Sequence, residues 1–95
     1  MIINELSKPL AFFISIIFHL RNLSNVIKRF RSDFKDWNES DIRLFSCIVA
    51  QFDTVLILKI FNLPSKESVY MRKVRLKDRI RHSGSTEKER YLLFF

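Results

Sequence analysis

Apolar residues recur every seven positions through the first third of the chain, and further apolar residues fill the intervening d-type positions. This spacing is typical of a helix that buries one stripe of its surface. Ser7 is a suitable N-cap and Pro9 suits a first helical turn, so the sequence predicts a helix from about residue 8 to residue 36. The stripe consists of Leu6, Phe13, Leu20, Ile27 and Phe34, with Ile16, Leu23, Phe30 and Trp37 between them.

The same spacing resumes after the polar break at residues 38–41 and continues until Pro64, which cannot extend a helix. A second helix is therefore predicted up to residue 63, and the two helices should form a hairpin over residues 8–63. We expect the stripe of the first helix to be buried against the second. The second stripe consists of Ile42, Phe45, Val49, Phe52, Leu56 and Leu63.

A different pattern occupies residues 69–82, where basic and apolar residues alternate. A strand would place the basic residues together on one face, whereas a helix would scatter them and leave only the broken apolar set Val69, Leu76 and Ile80. The alternation therefore predicts a strand. Its basic positions are Lys73, Arg75, Lys77, Arg79 and Arg81, and Val74, Leu76 and Ile80 have the opposite parity.

Ser83 and Gly84 form a turn signal, and the aromatic and aliphatic run at residues 91–95 reads as a second strand. The predicted fold class is thus α+β, with an N-terminal helical hairpin in residues 1–63 and an incomplete β-hairpin in residues 64–95. A strand at the end of the sequence lacks a partner to cover it, which suggests a piece of a larger domain.

The basic strand, the polar loop and the segment from Lys88 to Phe95 together resemble the first hairpin of a pleckstrin-homology domain, as found in Rho-type guanine nucleotide exchange factors. The resemblance covers residues 69–95 and lacks the later strands and the C-terminal helix of that family. It implies a non-catalytic module that is directed to membranes and binds phosphoinositide headgroups weakly. The headgroup phosphates would be held by Lys73, Lys77, Lys88 and Arg90.

The charge of the chain is compatible with more than one polyanionic partner. Residues 64–95 carry nine Lys and Arg against four acids, out of a formal net charge of +7 for the whole chain. Anionic membranes and nucleic acid both attract such a surface. A basic alternating segment is also a common solvated sheet face. The alternative prediction is therefore a small basic helical protein that binds nucleic acid or a partner helix. Independently of that choice, the apolar helix stripe or the C-terminal strand is predicted as a surface for a protein partner.

Neither apolar segment predicts a membrane span. Residues 10–20 are too few for the ~20 that a span requires, and the longer run at residues 44–63 contains Gln51, Asp53 and Lys59. Lys8 before the apolar run 10–18 permits a signal peptide or an interfacial anchor, although no small-x-small cleavage site follows. We expect a cytoplasmic protein that associates peripherally with membranes.

The sequence offers no pattern for catalysis or for a cofactor. Its single glycine excludes the glycine-rich phosphate loops, and His19 and His82 have no Cys, Asp or Glu at metal-ligand spacing. Cys47 is the only cysteine, so it cannot form an internal disulfide, and core packing is its expected role. No enzymatic activity, metal, cofactor or small-molecule substrate is predicted.

Overall fold

The computed structural model of the protein describes residues 21–95. Within this range the chain is helical, and no β-strand occurs among these residues, so the predicted α+β class and its β-hairpin are wrong. The helices are α1 (residues 21–33), α2 (Glu39–Val49), α3 (Thr54–Ile60), α4 (Lys66–Arg81) and α5 (Lys88–Leu92).

Side-chain caps fix where the three middle helices begin. Asn38, Asp53 and Ser65 each accept a hydrogen bond from the backbone N–H three residues ahead, at 2.9, 2.8 and 3.3 Å. Each cap satisfies one of the N–H groups that have no partner inside the helix. The turns after α2 and α3 each contain a residue with a left-handed backbone, Gln51 (φ 61°) and Asn62 (φ 51°). The turn after α3 leads into α4, which packs against α3.

The second predicted helix is divided in two. The sequence pattern indicated one helix up to residue 63, but α2 ends at Val49 and a new helix starts after Asp53. The interruption changes the helical phase, so Phe52 and Leu56 are 40% and 41% exposed although both were predicted to be buried.

The core is an aromatic cluster at the contact between α1 and α2. The rings of Phe30 and Phe45 stack with their centres 3.8 Å apart, and Phe34 stacks on Trp37 at 4.0 Å. Burial is confirmed for Phe30, Phe34, Ile42, Phe45 and Val49, while Leu23, Ile27 and Trp37 are partly buried against this core. The predicted core positions Leu6, Phe13, Ile16 and Leu20 lie outside the described residues.

Helix α4 buries the three apolar residues that are the only stripe a helical interpretation of this segment offers. Val69, Leu76 and Ile80 are 1%, 3% and 0% exposed, and their spacing of seven and four residues places them on one helical stripe. This stripe packs against α2, α3 and α5. The alternating charges of residues 73–81 do not lie on one face, because a helix distributes them around its circumference.

The C-terminal segment is packed into the core. Tyr91 on α5 is fully buried, with its ring centre 5.1 Å from that of Phe30 and 5.6 Å from that of Phe45. Phe94 and Phe95 are partly buried against the same cluster. The expectation of an uncovered terminal strand is therefore wrong. None of the helices in residues 21–95 is long and apolar enough to cross a membrane, and the apolar run at residues 10–18 lies outside them.

Candidate nucleic-acid interface

The most strongly charged element of the described chain is α4. Seven of its sixteen residues are Lys or Arg, and only Glu67 and Asp78 are acidic. Val69, Leu76 and Ile80 pack α4 against the core, and the cations lie on the remaining surface of the helix. Its basic residues are Lys66, Arg72, Lys73, Arg75, Lys77, Arg79 and Arg81.

Contacts with the rest of the fold engage two of the arginines. Arg79 forms an ion pair with Asp41 at 2.6 Å, and its guanidinium carbon lies 4.2 Å from the ring centre of Trp37. The guanidinium of Arg72 lies 5.6 Å from the ring centre of Phe61. These contacts fasten α4 to α2 and to the turns before α2 and after α3.

Four other cations of α4, namely Lys66, Lys73, Arg75 and Lys77, form no ion pair among residues 21–95. Three further acids of the described chain are engaged by arginines, whereas Glu67 on α4 itself forms no ion pair among residues 21–95. Glu39 accepts two hydrogen bonds from Arg31, both at 2.9 Å, and these lower the pKa of its carboxyl. Glu87 pairs with Arg29 and Arg90, and Asp78 pairs with Arg81. The free positive charge of α4 is therefore not cancelled by its surroundings.

The solvent-facing side of α4 also carries apolar side chains. Tyr70, Met71 and Val74 are 68%, 49% and 37% exposed. Glu67 and Asp78 lie on this same exposed side, and Asp78 is bonded to Arg81 one turn further along. The exposed surface of α4 thus combines cations on both sides with three apolar side chains and the two acids Glu67 and Asp78 between them.

The four residues of the predicted headgroup site lie on two helices. Lys73 and Lys77 are one helical turn apart on α4 and line a groove of about 220 Å³ with Tyr70, Phe94 and other residues. On α5, the ammonium of Lys88 lies 3.5 Å from the backbone oxygen of Arg81, and Arg90 pairs with Glu87 at 3.5 Å. Arg90 lines a separate hollow beside α1. The strand pairing that would have brought these cations together is absent from the described chain.

An open cleft of about 790 Å³ lies between the end of α1 and the end of α4. Its polar groups serve the fold: Asp33 accepts a hydrogen bond from the Tyr91 hydroxyl, and Arg79 is bound to Asp41. No group of three or more His, Cys, Asp or Glu side chains suitable for a metal ion occurs in residues 21–95.

Cys47 is buried in the core, which confirms its predicted packing role, and burial raises the pKa of its thiol. A thiol whose pKa is raised is poorly ionised at neutral pH, and the thiolate is the nucleophilic form. The geometry of the described residues therefore offers a charged, partly apolar helix surface as the candidate functional site. Comparison of the chain with models of known families, with curated proteins and with solved structures gives no match.

Sequence reasoning identified the basic character of residues 69–82 but assigned it to the wrong element. Lys66, Tyr70, Met71 and Arg75 were not proposed as site residues, although they share the exposed surface of α4 with Lys73 and Lys77. The signal that could have found them was Ser65 as an N-cap directly after Pro64, followed by the helical stripe that starts at Val69.

Proposed function

We propose that the protein binds nucleic acid through α4. The observation that carries this proposal is the set of four cations, Lys66, Lys73, Arg75 and Lys77, that form no ion pair among residues 21–95 and lie along one helix packed firmly on the fold. Phosphate groups are the ligands that such a surface attracts most strongly, because each cation that contacts a phosphate releases counterions condensed on the nucleic acid.

Binding of nucleic acid through these cations should weaken as the salt concentration rises. If the four cations each neutralise one phosphate of a duplex, the logarithm of the association constant should fall against the logarithm of the salt concentration with a slope of about −3.6. A protein that binds by packing or by a single ion pair would give a much shallower dependence. The slope thus counts the contacts and does not depend on the sequence of the probe.

Fluorescence anisotropy with a labelled DNA duplex, measured at several salt concentrations, tests the proposal. A variant with glutamine at all four α4 positions should bind more weakly than the native protein, with a shallower salt slope. A matched control replaces four exposed cations on other elements, which likewise form no ion pair among residues 21–95. The control residues are Lys28, Lys35, Arg43 and Lys59.

Both variants lose four positive charges, so a general effect of net charge would weaken binding equally. Stronger weakening by the α4 substitutions supports the proposal. Equal weakening by both variants would contradict it, as would the absence of measurable binding by the native protein at low salt. Circular dichroism of each variant would establish that the helical content is unchanged.

A second candidate function is binding to anionic membrane lipids, and the groove beside α4 favours it. Lys73 and Lys77 there adjoin Tyr70, Val74 and Phe94, so cations and apolar groups occur side by side, as at the surface of peripheral membrane proteins. This candidate keeps the predicted phosphoinositide ligand without the β-hairpin of a pleckstrin-homology domain. Lys88 and Arg90 would contribute charge from α5.

Co-sedimentation with vesicles of equal net charge, containing either phosphatidylserine or a phosphoinositide, tests the second candidate. A preference for the phosphoinositide that is lost in Lys73→Glu with Lys77→Glu supports it, and loss of that preference in Lys88→Glu with Arg90→Glu would show that α5 takes part. Equal binding to both vesicle types that neither double reversal changes would contradict a headgroup site.

A further inference from the structure

The cations of α4 lie along two opposite margins of its exposed surface. Lys66, Lys73 and Lys77 are separated by seven and four residues, so they align on one side of the helix. Arg75 falls on the opposite side. Three lysines on one side and Arg75 on the other place positive charge on both sides of the exposed surface, where it can contact phosphates of both strands of a duplex.

The strip between these margins carries three apolar side chains. Tyr70, Met71 and Val74 occupy it, and all three are exposed. Apolar side chains at the centre of a nucleic-acid interface can contact the methyl group of thymine, which lies in the major groove of DNA. Glu67 shares this strip, and its negative charge repels phosphates that approach it.

The helix and turn that precede α4 agree with binding of this helix to DNA. The seven-residue α3 precedes it, the connection consists of residues 61–65, and α3 and α4 are in extensive contact. A short helix, a turn and a longer helix follow one another in the same order in helix-turn-helix proteins, which present the second helix to DNA. The left-handed Asn62 and the Ser65 cap set the direction in which α4 leaves the turn.

We infer that the nucleic acid bound by α4 is B-form duplex DNA and that the exposed side of α4 enters the major groove, with Tyr70 and Met71 against the base edges. This inference rests on the proposed function. A helix with its side chains is about 10–12 Å across, and the major groove of B-form DNA is about 12 Å wide. The corresponding groove of an A-form RNA duplex is too narrow for side chains to read.

The test compares four labelled probes of equal length by anisotropy at one salt concentration: a DNA duplex, the same duplex with deoxyuridine in place of thymidine, an RNA duplex and single-stranded DNA. The native protein should bind the DNA duplex most tightly. Loss of the contact with one thymine methyl group should make binding to the deoxyuridine duplex weaker by about fourfold. Replacement of Tyr70 and Met71 by alanine should abolish this difference between the two DNA duplexes.

A matched control replaces two exposed apolar residues elsewhere, Val55 and Leu93, by alanine, and it should retain the preference for thymidine. Equal affinity of the native protein for all four probes, or tighter binding to the RNA duplex, would overturn major-groove insertion but leave nucleic-acid binding through α4 intact. Failure to bind any of the four probes would overturn the proposed function itself. Loss of the thymidine preference in the control as well would contradict a base contact from Tyr70 and Met71.

Discussion

Replacing Tyr91 by alanine should destabilise the protein severely. The side chain is fully buried, and its ring lies 5.1, 5.9 and 5.6 Å from the ring centres of Phe30, Phe34 and Phe45. Truncation of a buried aromatic residue to alanine costs about 3–5 kcal/mol, because burial is lost and a cavity remains. Small domains have a total free energy of unfolding of about 5–15 kcal/mol, so loss of this one ring removes a substantial fraction of the stability.

The hydroxyl of Tyr91 adds a smaller contribution. It donates a hydrogen bond to Asp33, whose carboxylate is exposed and can be hydrated when the hydroxyl is removed. Replacing Tyr91 by phenylalanine should therefore cost about 0.5–1.5 kcal/mol, the usual net value of one hydrogen bond. The two substitutions separate the contribution of the ring from that of the hydroxyl.

Urea unfolding followed by circular dichroism and by Trp37 fluorescence measures both changes. Leu93 provides the control, since it lies two residues further along and is 84% exposed. Its replacement by alanine should change the free energy of unfolding by less than about 0.5 kcal/mol. If Tyr91→Ala unfolds at the same urea concentration as Leu93→Ala, the C-terminal segment is not part of the core and the fold described here is wrong in that region.

Three further predictions concern pH, capping and charge. Burial raises the pKa of the Tyr91 hydroxyl, so its protonated form stabilises the fold fully below the unfolded-state pKa of about 10. This stabilisation is lost as the pH rises above about 10. The loss of stability at alkaline pH should therefore be smaller in Tyr91→Phe than in the native protein, as measured by urea midpoints at pH values on both sides of about 10. Asp53→Ala should cost about 0.5–2 kcal/mol, because it removes the cap of α3; an unchanged midpoint would argue against the cap. Glu67→Gln should tighten binding to a DNA duplex in the anisotropy assay by removing a repulsive charge beside the phosphates; weaker binding would instead indicate that the carboxylate contacts a base.

The helical stripes were predictable where the apolar spacing was dense. The heptad pattern correctly indicated helix for residues 21–33 and for most of α2, because large apolar residues mark the buried side at every turn. The break after α2 was missed because apolar residues continue through it at nearly helical spacing. Asp53 followed by Thr54 was the available signal, since aspartate is a favoured N-cap.

The error at residues 66–81 has a physical origin. The alternating charges indicate a strand, but burial depends on the apolar side chains, and the three apolar positions of this segment have helical spacing. Val69, Leu76 and Ile80 suffice for a helical stripe because other elements cover them. Long-range cover of this kind cannot be read from local spacing. The same limitation hid the burial of Tyr91, whose partners are some fifty residues away in sequence.

Nucleic acid bound at α4 should perturb the backbone amides of this helix, which an NMR titration of the ¹⁵N-labelled protein with a DNA duplex measures residue by residue. The largest changes in backbone amide shifts should occur in residues 66–77, where the free cations and the exposed apolar strip lie. Amides on the covered side of α1 and in α5 should change little. If the largest amide shift changes occur in residues 21–33 or 88–95 and those of α4 are unaffected, nucleic acid does not bind at α4.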